Sequence, residues 1–490
     1  MFAACTLFLA ACGRQTVKIM TPPDASNRVL FGAEQLQATL DKAGYQVMMQ
    51  QGDTTFSDPE IKTILLTEVN DTTLKKEGFH ISTTGNLTRV SGRDGSGVIY
   101  GCRELIDRVN DSDGRLNFPE ELKDAPEMVL RGACVGLQKM TYLPGHGVYE
   151  YPYTPESFPW FYDKEQWIKY LDMLVANRMN SLYLWNGHPF ASLVKLEDYP
   201  FALEVDEETF KMNEEMFSFL TEEADKRGIF VIQMFYNIIL SKPFAEHYGL
   251  KTQDRNRPIT PLIADYTRKS IAAFIEKYPN VGLLVCLGEA MCTVEDDVEW
   301  FTKTIIPGVK DGLQALGRTD EPPLLLRAHD TDCKLVMDAA LPHYKNLYTM
   351  HKYNGESLTT YEPRGPWSKI HTDLSSLGSI HISNVHILAN LEPFRWGSPD
   401  FVQKAVTAMH NVHGANALHL YPQASYWDWP YTADKLPNNE REFQLDRDWI
   451  WYQTWGRYAW NCHRDRTDEM GYWNHQLGKF YGTSDENASN

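Results

Sequence analysis

Eight short apolar runs, each followed by a helical pattern, recur between Met128 and Tyr421, and no other feature of the chain limits its fold so strongly. They occupy 129–137, 181–185, 229–236, 281–287, 324–327, 347–351, 385–389 and 417–421. Buried strands alternating with helices over about 300 residues predict a (β/α)8 barrel. The rival is an open doubly wound sheet, which calls for an early Gly-rich phosphate turn, and the sequence has none. The expected fold class is therefore α/β: a (β/α)8 TIM barrel preceded by a small α/β domain, with a helical C-terminal segment.

The residues before the barrel read as that small domain. Strand patterns at 17–20 and 61–66, an amphipathic helix at 28–44, a hairpin around Thr84-Gly85-Asn86 and a helix at 95–109 fill it. A turn-rich stretch, Asn110-Asp111-Ser112-Asp113-Gly114 with Pro119 and Pro126 beyond, marks its end. The expected division is a signal at 1–12, an α/β domain at 13–126, a barrel at 127–435 and a helical, Trp-rich segment at 436–490 that could open a longer helical domain.

The N-terminal ten or so residues are apolar and run into Leu9-Ala10-Ala11-Cys12-Gly13. The run is too short to span a bilayer and suits a signal h-region. It resembles a bacterial lipoprotein signal, with Cys12 as the lipidated residue. That resemblance implies an exported lipoprotein of the periplasm or outer membrane, held to the membrane by lipid only. The net charge of -18 argues against a nucleic-acid partner, since phosphate binding needs clustered cations. Cys102, Cys134, Cys286, Cys292, Cys333 and Cys462 are scattered, with no zinc or redox spacing. Neither cofactor nor metal is expected. Aromatic residues make up 12% of the chain, which suits either sugar stacking or a large core.

Barrels bind substrate at the C-terminal ends of their strands. Strand two ends at Trp185-Asn186, strand four at Gly288-Glu289, and strand five at Arg327 followed by His329, Asp330 and Asp332. Strand six runs into Lys352 and Glu356, with Glu362 in the loop beyond; strand seven leads to Glu392 and strand eight to Trp427. Carboxylates converging from several strands fit glycoside cleavage, which needs one protonated and one ionised carboxyl. Like charges in an aromatic pocket push the two pKa values apart. His329, Asp330 and Asp332 could also ligate a metal; sugar binding or a helix cap is the preferred reading. A serine hydrolase is excluded for want of a Gly-x-Ser-x-Gly elbow.

Several short stretches, in order and spacing, are similar to the α-glucuronidases of glycoside hydrolase family 67. They are V-S-G-R-D-G-S-G-V-I-Y-G (90–101), Y-G-L-K-T (248–252), P-N-V-G-L-L-V (279–285) leading to Glu289, Arg327-Ala328, Lys352 through Asn354-Gly355 to Tyr361-Glu362-Pro363-Arg364, and G-R-Y-A-W (456–460). The resemblance implies an inverting, exo-acting hydrolase that releases a terminal sugar, a uronic acid foremost. Glu289 would be the acid, Glu392 the base with a second carboxylate, Glu356 or Glu362, after strand six; Arg327 and Lys352 would grip the uronate. Cys286 stands where that family has a basic residue. Arg131-Gly132 resembles the β-hexosaminidases, placing Arg131 among the candidate binding residues, yet their adjacent Asp-Glu pair is absent. The alternatives are a glycosidase acting on a neutral or amino sugar, and a non-catalytic carbohydrate-binding lipoprotein.

Overall fold

Alternating apolar residues, turn chemistry and helix caps combine in a computed structural model that describes residues 14–56, 58–137, 152–236, 239–288, 291, 293–386, 397–423, 437–438 and 440–489, less the side chains of 356, 422 and 423. Its contacts separate into two units, 1–126 and 127–490.

In the first unit, six strands form one sheet: β1 (Thr16–Thr21), β2 (Gln46–Gln51), β3 (Lys62–Glu68), β4 (Phe79–Thr84), β5 (Leu87–Gly92) and β6 (Glu121–Asp124). Their order is β2-β1-β3-β5-β4-β6, parallel as far as β5 and antiparallel from β5 to β6. Two helices, α1 (Asn27–Lys42) and α2 (Gly95–Asp111), pack against each other and the sheet. Ser26 caps α1 and Asp94 caps α2, each side-chain oxygen accepting from a backbone N–H of the first turn. The sequence reading omits β2 and β6. β2 is a mostly exposed edge strand whose apolar run is only Val47, Met48 and Met49, and β6 is a four-residue, largely polar edge strand, so neither shows the buried run by which core strands announce themselves.

The second unit closes eight parallel strands into a barrel. They are β7 (Leu130–Gly136), β8 (Ser181–Trp185), β9 (Phe230–Tyr236), β10 (Val281–Cys286), β11 (Leu324–Arg327), β12 (Leu347–Glu356), β13 (Ile380–His386) and β14 (Ala417–Gln423). Alternate residues point inward, as the two-residue strand period requires. Leu130, Ile232, Leu325, Ile382 and Ala417 fill the lower interior, and Trp185, Tyr236, Cys286 and Tyr421 the upper part. The expected strands therefore exist, with one displaced: β13 begins five residues before the predicted 385–389. Its sequence I-H-I-S-N-V-H buries two histidines, a serine and an asparagine on its two faces, and these buried polar residues mask it as a strand.

Much of the tryptophan is core. Trp167, Trp451, Trp455 and Trp460 are fully buried, and the last three lie on the helix Trp449–Trp460. That helix ends beneath the barrel, where Glu127 N–H donates to Trp460 O and Met128 N–H to Ala459 O. Arg131 belongs to this underside, which corrects its assignment to substrate. It is 0% exposed; its Nε donates to Arg178 O at 2.7 Å and Nη1 to Met128 O at 2.6 Å, while its guanidinium lies 5.4 Å from the Trp460 ring. A cation with its donors spent on carbonyls at the N-terminal end of the first strand stabilises the barrel and is remote from the face where barrels bind substrate.

Candidate active site

Strand ends at the C-terminal face form a narrow pocket lined by Cys134, Tyr183, Trp185, Met234, Leu284, Arg327, Met350, Asn384, His386, His419 and Tyr421. Each sits on the inward parity of its strand, so the pleat of the barrel builds the lining. One wall is aromatic: Trp185 stacks on Tyr421 with ring centroids 4.1 Å apart, and Tyr183 stacks on His419 at 3.9 Å. The Trp185 indole N–H has no hydrogen-bond partner among the described residues.

Arg327 supplies the positive charge. It ends β11, is 6% exposed, and its guanidinium stands 5.5 Å from the Trp185 ring with Nη1 3.7 Å from Cys286 Sγ. Lys352 pairs in register with Asn384 and shares the inward parity of Tyr348 and Met350, two residues further up β12. His419 is held between Asn384 Nδ2 at 2.8 Å and the Met350 sulfur at 3.0 Å. Burial pushes its pKa down to about 3, with the Arg327 charge adding to the fall, so it remains neutral near pH 7.

The backbone leading to Glu289 is pinned from the neighbouring strand. Gly288 N–H donates to Thr331 Oγ1 at 3.0 Å, and Thr331 Oγ1 donates to His329 O at 3.0 Å. A Cβ on Gly288 would stand 1.8 Å from Asp330 O, an impossible approach to a backbone atom. Asp330 itself adopts φ 51°, which turns that carbonyl inward. Gly288→Ala is therefore expected to displace the strand-five loop and Glu289 together, cutting kcat at least tenfold. Steady-state kinetics on protein shown by circular dichroism to be folded checks this.

The other predicted residues divide. Asn186 is buried and its Oδ1 accepts from His188 N–H at 2.9 Å, shaping the turn after β8. Asp332 caps the helix Cys333–Ala340, accepting from Leu335 N–H at 3.1 Å, and Asp330 is exposed with its carboxylate 3.8 Å from His329 Nε2. None of Asn186, His329, Asp330 and Asp332 lines the pocket described above. Glu362 is exposed and lines a separate outer groove with Tyr361, Asp400, Gln403, Lys404 and Arg466. Tyr353 O–H holds Tyr361 O at 2.9 Å and so turns this loop outward, which removes Glu362 from the candidates for the base. Glu289, Glu392 and Trp427 lie outside the described residues, as does Cys12. Glu356 closes β12, with its side chain outside the described atoms. Sequence reading missed Asn384, His386, His419 and Tyr421, although the last two stand in a correctly placed strand; treating inward strand positions as site candidates would have found them.

No family model matches the chain, and no curated protein does. Among solved structures, an enzyme of glycoside hydrolase family 138 that targets pectin rhamnogalacturonan II is 73% identical, with a TM-score of 0.91, over 97% of this chain and 68% of its own. The chain belongs to glycoside hydrolase family 138. The short matches to family 67 thus pointed to the right reaction class and the wrong family. As a family 138 member the protein is an enzyme acting on carbohydrate, which sets aside the non-catalytic binding reading. More distant structures share the fold alone. The family 20 β-N-acetylhexosaminidase of Streptomyces coelicolor is 11% identical at a TM-score of 0.57, covering 96% of this chain and 92% of its own. The Flavobacterium johnsoniae chitobiase is 12% identical at 0.54, covering 97% and 70%.

Proposed function

We propose that this family 138 enzyme is an exo-acting, inverting glycosidase that releases a terminal uronic acid from a pectic polysaccharide or oligosaccharide. The observation that carries this reading is Arg327, a buried cation on the floor of an aromatic-walled cavity, with Lys352 on the same parity above it. A uronate carboxylate offers a bidentate partner to Arg and a point charge to Lys. The 73% identical relative targets pectin rhamnogalacturonan II, which supports a pectic substrate.

In this reading the sugar face lies against Trp185 and Tyr421, and the indole N–H of Trp185 donates to a hydroxyl. Glu289 protonates the leaving oxygen. Glu392 or Glu356 accepts a proton from the attacking water on the opposite face. Inversion leaves room for that water, so the two carboxyls stand about 6.5–9.5 Å apart. Product analysis on rhamnogalacturonan II fragments, paired with neutral oligosaccharides, tests the substrate class. Release of a uronic acid is expected; release of a neutral or amino sugar alone would reject it. E392Q and E356Q then separate the bases, since the true base loses turnover without losing binding. The lipoprotein reading of Cys12 belongs to this proposal as well: labelled fatty acid should enter the full chain and not its Cys12→Ala variant.

A further inference from the structure

Beneath the barrel, three side chains from opposite ends of the second unit converge. Glu127 leads into β7, while Cys462 and His463 lie in the link between the helices Trp449–Trp460 and Arg466–Tyr481. Their ligand atoms all fall within 4.8 Å of one another, the one such convergence of three metal-capable groups among the described residues. We propose that Glu127, Cys462 and His463 form a structural Zn²⁺ site that ties the entry of the first barrel strand to the C-terminal helices.

Donor chemistry and geometry agree on this ion. Thiolate, imidazole and carboxylate are the zinc donor set, and the thiol disfavours calcium or magnesium. Two ligands about 2.1 Å from a tetrahedral centre stand roughly 3.4 Å apart. His463 Nε2 and Glu127 Oε1 are separated by 3.5 Å. The backbone around the cluster is already fixed. Cys462 N–H donates to Glu127 Oε2 at 2.8 Å, His463 N–H donates to Asn461 Oδ1 at 2.8 Å, and Gln403 Nε2 donates to Cys462 O at 3.2 Å and Arg464 O at 2.8 Å. Water completes the coordination. On binding, the Cys462 thiol releases its proton to the buffer as the Zn–S bond forms. The ligands are 335 residues apart in sequence, which is why cysteine spacing gives no hint of them.

The test is a titration of the chelator-treated full-length enzyme with Zn²⁺ alone by calorimetry, with Co²⁺ as a spectroscopic substitute. One equivalent is expected to bind, Co²⁺ should show a thiolate charge-transfer band, and Zn²⁺ should raise Tm. C462S should abolish the band, and H463A, at an exposed position that tolerates substitution, should weaken binding at least tenfold. Absence of binding at micromolar Zn²⁺, or binding that survives in both variants, would overturn the proposal and leave a hydrogen-bonded trio. Neither result depends on the sugar specificity.

Discussion

Glu289→Gln is expected to lower kcat on a natural glycan by about 10²–10⁴-fold, the range contributed by a positioned general acid. Gln is nearly isosteric with Glu and keeps an acceptor oxygen, but it cannot release a proton to the departing oxygen. KM should therefore change little. The deficit should also depend on the leaving group: an aryl glycoside with an acidic phenol departs without protonation, so the variant should recover most of its rate there. A loss that is the same for both substrates would mean that Glu289 acts through structure and not as the acid. The residue before it, Gly288, donates its N–H to Thr331 Oγ1 and has no room for a side chain beside the Asp330 carbonyl.

Arg327→Ala should divide substrates by charge. Removing one partner of a buried charged hydrogen-bond pair costs about 2–5 kcal/mol, or roughly 30- to several thousand-fold in kcat/KM. The full loss is expected for a sugar with a free carboxylate. The corresponding methyl ester or neutral sugar, already a poor substrate for the parent enzyme, should change less than about fivefold. Arg327→Lys should fall between, since a point charge remains but the two-pronged geometry is lost. The parent cavity accounts for the size of the effect: the guanidinium is 6% exposed, against sulfur and an indole face, where water cannot replace the missing carboxylate. Equal losses on acidic and neutral sugars would reduce Arg327 to a packing residue.

The fold was legible because barrel strands are apolar in runs. Strands 181–185 and 324–327 were placed to the residue from S-L-Y-L-W and L-L-L-R. Legibility failed where function or exposure interrupts the pattern. The seventh strand carries His381, Ser383, Asn384 and His386 in its buried positions and was read five residues late. The edge strands of the first unit, short or exposed on both sides, are not legible in the sequence. Within the candidate site, Arg327 and Trp185 were legible as polar and aromatic residues at strand ends. Arg131 misled because an arginine at the start of a strand looks the same in sequence whether it serves the mouth or the underside. Its carbonyl partners, Met128 and Arg178, decide that only in three dimensions. Glu362 misled for a similar reason, since the Tyr353 hydroxyl that turns its loop outward is invisible to motif spacing.

We propose a family 138 enzyme that uses Glu289 as general acid to cut a uronosyl bond with inversion. Time-resolved proton NMR of the anomeric signals during hydrolysis of an acidic rhamnogalacturonan II fragment tests it most directly. The account predicts that the first product signal is a free uronic acid of opposite anomeric configuration to the substrate, followed by slow mutarotation. A first product of retained configuration, or one without a carboxylate, would contradict it.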